Sequence, residues 1–210
     1  MRASFGAGTF RGAPGSNVQL LSTVTAALYN DPNPANAGIT ELIYTPAAGG
    51  FDVENGFPAL LRFAAPALLS INQYNYADIR FQPELLSIQM PKLEEAYRIR
   101  IVQNPKLTEL TLTGLKTDIG TGTSWEIQAN VMLTDIDVTS WQTPAGNIGF
   151  QGNAWSEATV NAILVKLDNI GWAAAGKNLE LSGGTAAAPT GAGAAAKAAL
   201  IAAGATVTTN

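Results

Sequence analysis

The chain has 210 residues, 47% of them hydrophobic and only 13% charged, with a formal net charge of -4. It is long and apolar enough for one sizeable core, and its acidic balance argues against a nucleic-acid partner, which would leave a basic footprint. The absence of Cys and His excludes zinc sites built on those residues, thiol nucleophiles, His general bases and a Ser-His-Asp triad.

Met1 to Ser4 leads into Gly-rich sequence with no apolar core, so no Sec-type signal peptide is expected. The longest apolar stretch, Ala59 to Leu69, is broken by Arg62 and Pro66, and no membrane-spanning helix is expected. Residues 1–17 carry Gly6, Gly8, Gly12, Pro14 and Gly15 with Arg2 and Arg11 as the only charges. Such a segment buries little side-chain area, and reads either as a disordered terminus or as an arm that orders on a partner subunit.

Val18 to Tyr29 is ambiguous. Leu21, Val24 and Leu28 fit helical spacing, whereas Thr23 and Thr25 favour a strand. Asn30-Asp31-Pro32-Asn33-Pro34 forces a turn, since Pro restricts both itself and its predecessor. This places an N-terminal arm over residues 1–37 and the body over 38–210. At the start of the body, Ile43-Tyr44 reads as a strand and Ala47 to Gly50 as a turn. Pro58-Ala59-Leu60-Leu61 and Pro66-Ala67-Leu68-Leu69 echo each other, as degenerate repeats or as an irregular N-terminal cap.

From residue 77 one spacing recurs: two apolar residues two apart, then Asn three further on. It occurs as Ile99, Ile101, Asn104; as Trp125, Ile127, Asn130; and as Ile148, Phe150, Asn153. Ala77, Ile79, Gln82 carries Gln in the last slot, Leu179, Leu181, Gly184 carries Gly, and Ala205, Val207, Asn210 closes the series. The slots at 104, 130, 153, 184 and 210 stand 26, 23, 31 and 26 residues apart. A second apolar stripe follows three of them at offsets of three, six and eight: Leu85, Ile88, Met90; Leu107, Leu110, Leu112; Leu133, Ile136, Val138. A period in the twenties predicts a solenoid of short parallel strands, each burying its face against its neighbours. Alternation then turns Ile99 and Ile101 inward and Arg98, Arg100 and Val102 outward. Each Asn sits where the chain leaves a strand, and Asn104, Asn130, Asn153 and Asn210 are expected to form a ladder that satisfies the turn's backbone groups. Small residues eight positions before each slot (Ala96, Gly122, Ala145, Gly176, Ala202) would permit tight stacking. Two helices are expected near the end. One runs from Ser156 to Ile170, with Ser156 as N-cap and Gly171 as stop; the other runs from Ala192 to Ala203, with Thr190 or Gly191 at its start and Gly204 after it.

These residues resemble a leucine-rich-repeat family of bacterial surfaces and bacteriophage virions, the BspA-like repeat with its C-terminal cap. The shared frame is Ala96-x-x-Ile99-x-Ile101-x-x-Asn104, and the closing likeness lies in Ser156 to Leu164 and Leu179 to Thr190. The likeness covers roughly residues 77 to 210. Ala or Gly holds the first Leu position, and the spacing varies. The resemblance implies an α/β leucine-rich-repeat-like solenoid with short parallel strands, and it implies binding or assembly with no catalytic residues and no cofactor.

The outward side of the strands is the binding face the resemblance implies: Asp78, Arg80, Arg98, Arg100, Glu126, Gln128, Gln151, Glu180, Ser182 and Thr206. The competing reading is a solvated sheet face with cross-strand pairs such as Arg100 with Glu126. Trp141, Trp155 and Trp172 would either stack on sugars or fill gaps in the core. Asp135 and Asp137 share a strand face but lack a third metal ligand, and Glu94-Glu95 reads as a solvated turn. The run Gly191 to Lys197 superficially looks like a phosphate loop, without the Gly-Lys-Ser/Thr ending. The expected function is therefore a non-enzymatic structural component of a phage particle (decoration, fibre or tail), partnered by itself and other virion proteins. The alternative is a bacterial surface adhesin that binds host protein or glycan through the sheet face. Neither reading involves nucleic acid, metal or membrane insertion.

Overall fold

The computed structural model describes residues 18–21, 25–29, 37–72, 75–118, 124–144 and 146–210. Within them the strands form three sheets in which every pairing is parallel. The largest has eight strands: Thr25–Tyr29 (β2), Gly50–Glu54 (β4), Ala77–Arg80 (β7), Ile99–Val102 (β10), Ser124–Gln128 (β13), Asn147–Gly149 (β14), Asn178–Glu180 (β15) and Thr206–Thr208 (β16). A five-stranded sheet holds Val18–Leu21 (β1), Glu41–Tyr44 (β3), Arg62–Ala64 (β5), Ser87–Gln89 (β8) and Glu109–Thr111 (β11). A three-stranded sheet holds Ser70–Ile71 (β6), Glu95–Ala96 (β9) and Thr117–Asp118 (β12). From β4 to β13 the chain visits the large, middle and small sheets in rotation, and bridges from Ala48 to Ser70 and from Thr117 to Thr143 extend the small sheet at both ends.

The strands form because their side chains alternate. In β10, Ile99 and Ile101 are buried while Arg100 and Val102 are half-buried. The inward rows line up across the stack: Phe51, Ala77, Ile99, Trp125, Ile148, Leu179 and Val207 occupy one register. Burying each Ile or Leu of such a row contributes about 1.5–3 kcal/mol. The expected second stripe is core as well, with Leu85, Ile88, Met90, Leu107, Leu110, Leu112, Leu133, Ile136 and Val138 all buried.

Several expectations change. Val18–Leu21 and Thr25–Tyr29 are strands, and they pair with β3 and β4. The sheets thus reach back to Val18, inside the segment 1–37 read as an arm; residues 1–17 lie outside the described part. The Pro-Ala-Leu-Leu echoes are two β-turns of a single pass, in which the amides of Leu60 and Leu68 donate to Phe57 O at 3.0 Å and Ala65 O at 3.3 Å. Pro58 and Pro66 occupy the second turn position, which their fixed φ favours. The last strand slips by two residues: Val207, not Ala205, stands opposite Leu179. Of the small residues eight before each slot, Ala96 is buried, but Gly176 and Ala202 are exposed and serve no stacking. Gly122 and Ala145 lie outside the described residues.

Two helices take over where the middle sheet ends. Glu157–Asn169 (α1) is capped by Ser156, whose Oγ accepts from the Thr159 amide at 3.2 Å, and it buries Val160, Ile163, Leu164 and Leu167. Gly191–Ala202 (α2) follows Thr190, whose amide donates to Asn161 Oδ1 of α1 at 3.0 Å. Each helix links two parallel strands, α1 between β14 and β15 and α2 between β15 and β16, as crossovers require.

Gly184 marks a close approach of main chain to main chain between passes. Its φ is +59°, and a Cβ there would stand 2.4 Å from the Asn153 carbonyl oxygen. Gly184→Ala is expected to lower the unfolding free energy by about 2–4 kcal/mol, the combined cost of left-handed strain and overpacking. Urea titration measures this directly, and an unchanged midpoint would show that the corner relaxes freely.

Candidate functional site

Two polar constellations stand out, one buried between passes and one on the outer face of the eight-stranded sheet. The buried one begins where each pass leaves that sheet. The residue before the slot is left-handed in six successive passes: Asn55 at +49°, Phe81 at +58°, Gln103 at +57°, Ala129 at +54°, Gly152 at +75° and Gly183 at +80°. That bend points the next side chain into the interior. Asn104, Asn130 and Asn153 are fully buried. The Asn104 amide donates to Asn130 Oδ1 at 3.0 Å, and the Asn130 amide to Asn153 Oδ1 at 2.9 Å. In the other direction, Asn104 Nδ2 donates to Ile79 O, Asn130 Nδ2 to Ile101 O and Asn153 Nδ2 to Ile127 O, at 3.2, 2.9 and 2.6 Å. Each carboxamide thus satisfies a donor and an acceptor of the preceding pass.

The series has two irregular members. Gln82 joins it through its amide, which donates to Asn104 Oδ1 at 3.1 Å. Its longer side chain reaches Arg80 O and Val53 O, and Oε1 finds no partner among the described residues. Gly184 has no side chain to contribute, and the crowding against Asn153 explains why. Asn210, expected in the ladder, lies outside the buried series. It is exposed, and its Oδ1 accepts from the Gly183 amide at 2.8 Å while Nδ2 donates to Ala186 O at 2.6 Å. The two-residue slip of β16 takes Asn210 out of the repeating position.

The outer constellation gathers five of the expected face residues, Asp78, Arg80, Arg98, Arg100 and Glu126, and adds Asp52 and Glu54. Register places Asp52, Asp78, Arg100 and Glu126 side by side in successive strands. Arg80 Nε lies 2.6 Å from Asp78 Oδ1, and Arg80 Nη2 3.0 Å from Glu54 Oε2. Arg100 bridges Asp78 Oδ2 and Glu126 Oε2, at 3.1 Å each, and Arg98 Nη2 reaches Glu126 Oε1 at 2.7 Å. The expected Arg100–Glu126 cross-strand pair is therefore present. Asp78 departs from the exposed face assigned to it: it is 2% exposed, because Arg80 and Arg100 fold over it from both sides. Burial pushes its carboxyl up to about 6 and the neighbouring Asp52 charge adds to the shift, while the two guanidiniums oppose it.

The remaining face residues are quieter. Gln128 and Gln151 are half-buried and lean over Gly149, where a Cβ would stand 2.6 Å from Gln128 Nε2 and 3.2 Å from Gln151 Oε1. Glu180 Oε1 accepts from the Ser182 amide at 3.1 Å, and Thr206 is exposed. Two aromatic residues missed by the sequence reading flank the charges. Tyr76 is 39% exposed beside the Arg98 guanidinium, 5.6 Å from ring centroid to Cζ; Phe81 is 36% exposed beside Arg80, at 5.9 Å.

Other candidates are structural. Trp141, Trp155 and Trp172 are buried, and Trp125, Trp141, Phe150 and Trp155 form a chain of ring contacts at 5.4, 6.1 and 5.8 Å. Asp135 Oδ1 accepts from Thr159 Oγ1 at 2.7 Å and Asp137 Oδ1 from Thr139 Oγ1 at 2.6 Å. No group of three or more metal-ligating side chains occurs among the described residues. Lys197, the lysine of the Gly-rich run, donates to Thr209 Oγ1 at 2.7 Å. Glu94 pairs with Lys116 at 3.0 Å. No helix of the described residues is long and apolar enough to cross a membrane. No known protein family, curated protein or solved structure matches the chain.

Two predictions follow from these geometries. Asn130→Ala strips partners from the Asn104 amide and the Ile101 carbonyl inside the core, and should cost about 2–4 kcal/mol in urea unfolding. Asn210→Ala, at an exposed site, should cost less than about 1 kcal/mol; equal losses would deny the buried series its special weight. The second concerns pH. A folded-state carboxyl near 6 against an ordinary 3.8 means the native state binds the proton more tightly. Asp78 therefore withdraws stability as pH rises from about 4 to about 6, by up to about 3 kcal/mol, and changes nothing further above. Asp78→Asn should match the parent near pH 4 and exceed it in melting temperature at pH 7.5. A variant less stable than the parent at pH 7.5 would show that ion pairing outweighs desolvation.

Proposed function

We propose that the chain is a leucine-rich-repeat-like solenoid of the BspA-like kind, and that it serves as a non-enzymatic structural component of a bacteriophage particle: a decoration, fibre or tail protein. The observation that carries this reading is the use to which its polar groups are put. The buried carboxamides join one pass to the next, and the charges of the sheet face pair largely with one another. Chemistry is thus spent on a rigid stack, as a projecting scaffold requires. The lack of His and Cys and the low charge content agree with it. Assembly is assigned to residues 1–17, whose Gly-rich composition suits a segment that orders on a neighbour.

A second reading, a bacterial surface adhesin that binds through the sheet face, is favoured by one feature. Arg98 and Arg100 keep 34% and 28% of their side chains exposed, and Arg98 lies beside Tyr76.

Light scattering on the full chain and on a chain lacking residues 1–17 tests the first reading. A closed oligomer that falls to monomers on truncation is the expected result. A monomer in both forms removes self-assembly through this segment and moves the weight to the adhesin. That reading in turn requires Arg98→Ala with Arg100→Ala to abolish binding to bacterial or host cells.

A further inference from the structure

The outer face of the eight-stranded sheet has the layout of a stacking platform, and this inference rests on the second reading above. Tyr76 immediately precedes β7 and Phe81 immediately follows it. The four residues of β7 between them carry the chain about 16 Å from one Cα to the other, the length of a short oligosaccharide, and the left-handed Phe81 brings its ring beside the outward Arg80. Each ring is held by a guanidinium: Arg98 lies over Tyr76 and Arg80 over Phe81. Both guanidiniums are themselves anchored, to Glu126 and to Asp78 with Glu54. The rings are therefore preorganised, which reduces the ordering cost of binding.

The strand beside Tyr76 offers no side chain at the facing position. Phe51 pairs with Ala77, so Gly50 lies next to Tyr76, and a Cβ at Gly50 would come within 2.9 Å of the Tyr76 backbone. The Tyr76 main chain therefore packs directly on the neighbouring strand, which fixes the base of its side chain.

Between the rings lie Asp52 and Glu54, partly exposed carboxylates suited to accepting from hydroxyl groups, while Asp78 is buried beneath Arg80 and Arg100. The cluster sets four carboxylates, with Glu126 the fourth, against the three guanidiniums of Arg80, Arg98 and Arg100. Near neutrality gives it little pull on a polyanion such as nucleic acid or polyphosphate. A ring platform with hydroxyl acceptors and little net charge matches an uncharged sugar chain, whose C–H faces stack on aromatics while its hydroxyls need fixed polar partners. We propose that the Tyr76–Phe81 face binds a neutral oligosaccharide laid along β7, with Tyr76 as the principal stacking residue.

The test uses the full chain and a panel of neutral tetrasaccharides: maltotetraose, cellotetraose and the tetramer of N-acetylglucosamine. Aromatic NMR signals of Tyr76 and Phe81 are followed at millimolar sugar. At least one sugar should shift both sets, with affinity falling at least about tenfold in Tyr76→Ala. Tyr76→Phe keeps the ring and should keep binding, whereas Tyr76→Leu keeps only apolar bulk and should lose it; this pair decides the matter if Tyr76→Ala folds poorly. No shift with any sugar, or equal affinity in Tyr76→Leu, overturns the proposal. If sugars fail but the protein still binds cells and loses this with Arg98→Ala and Arg100→Ala, the face serves a protein partner and only the sugar assignment falls. If both fail, the adhesin reading falls with it.

Discussion

The structure depends on a hydrogen bond that reaches from one pass of the chain to the next at a buried corner. A polypeptide that leaves a strand and turns sharply exposes an amide and a carbonyl with no ladder partner, and each costs about 1–3 kcal/mol if buried without one. Asn130 answers both needs at once, accepting from the Asn104 amide and donating to Ile101 O. Asn is short enough to do this from the corner itself. Gln82 meets the equivalent carbonyl of its own neighbouring pass, Val53 O, only at 3.4 Å and leaves an oxygen idle. Because the bond joins equivalent points of successive passes, it fixes their register as well as their stability. With register fixed, every other row must align: the apolar row that runs from Phe51 to Val207, and the charged row in which Asp52 meets Asp78.

That last encounter shows the constraint overriding electrostatics. Two carboxylates directly opposite in neighbouring strands repel, and Asp78 is buried besides. The sheet tolerates them because Arg80 and Arg100 close over Asp78, yet its carboxyl is still pushed up to about 6. Pairing has moderated the cost of burial without removing it. A face designed for stability alone would place an apolar or amide residue there.

Much of the stack was legible because its key positions are chemically narrow. Ile99, Ile101 and Asn104 are all fully buried, so the spacing of two and then three survives from pass to pass. Where it fails, the cause is local. In the first complete pass the corner holds one extra residue: the stripe of Leu60, Phe63 and Ala65 follows Gly56 at four, seven and nine, one more than the stripe after Gln82. That shift, with Gly in the slot, hid the segment from Gly38 to Leu69. The last strand was misaligned because Ala205 and Val207 are both buried, and the spacing alone does not say which one faces Leu179. On the outer face, alternation found the charges but not which were covered, since the burial of Asp78 is decided by side chains 2 and 22 residues away. Tyr76 gave no signal at all. Its partner Arg98 is its neighbour only through the register.

The corners also separate what the fold needs from what it merely carries. The residue before each slot must be left-handed, which glycine adopts at no cost, and bulky residues only under strain. Gly152 and Gly183 follow that logic, and Asn55 fits it, since Asn tolerates this region. Phe81, at +58°, does not. It is also 36% exposed, well outside the fully buried rows of the core. Neither the ladder nor the core accounts for a phenylalanine at this position. What the position does supply is an aromatic surface held by Arg80 at one end of the charged face, with Tyr76 at the other. A bulky residue kept in a strained, partly exposed position beside a charged cluster is the kind expected where a surface has work beyond folding.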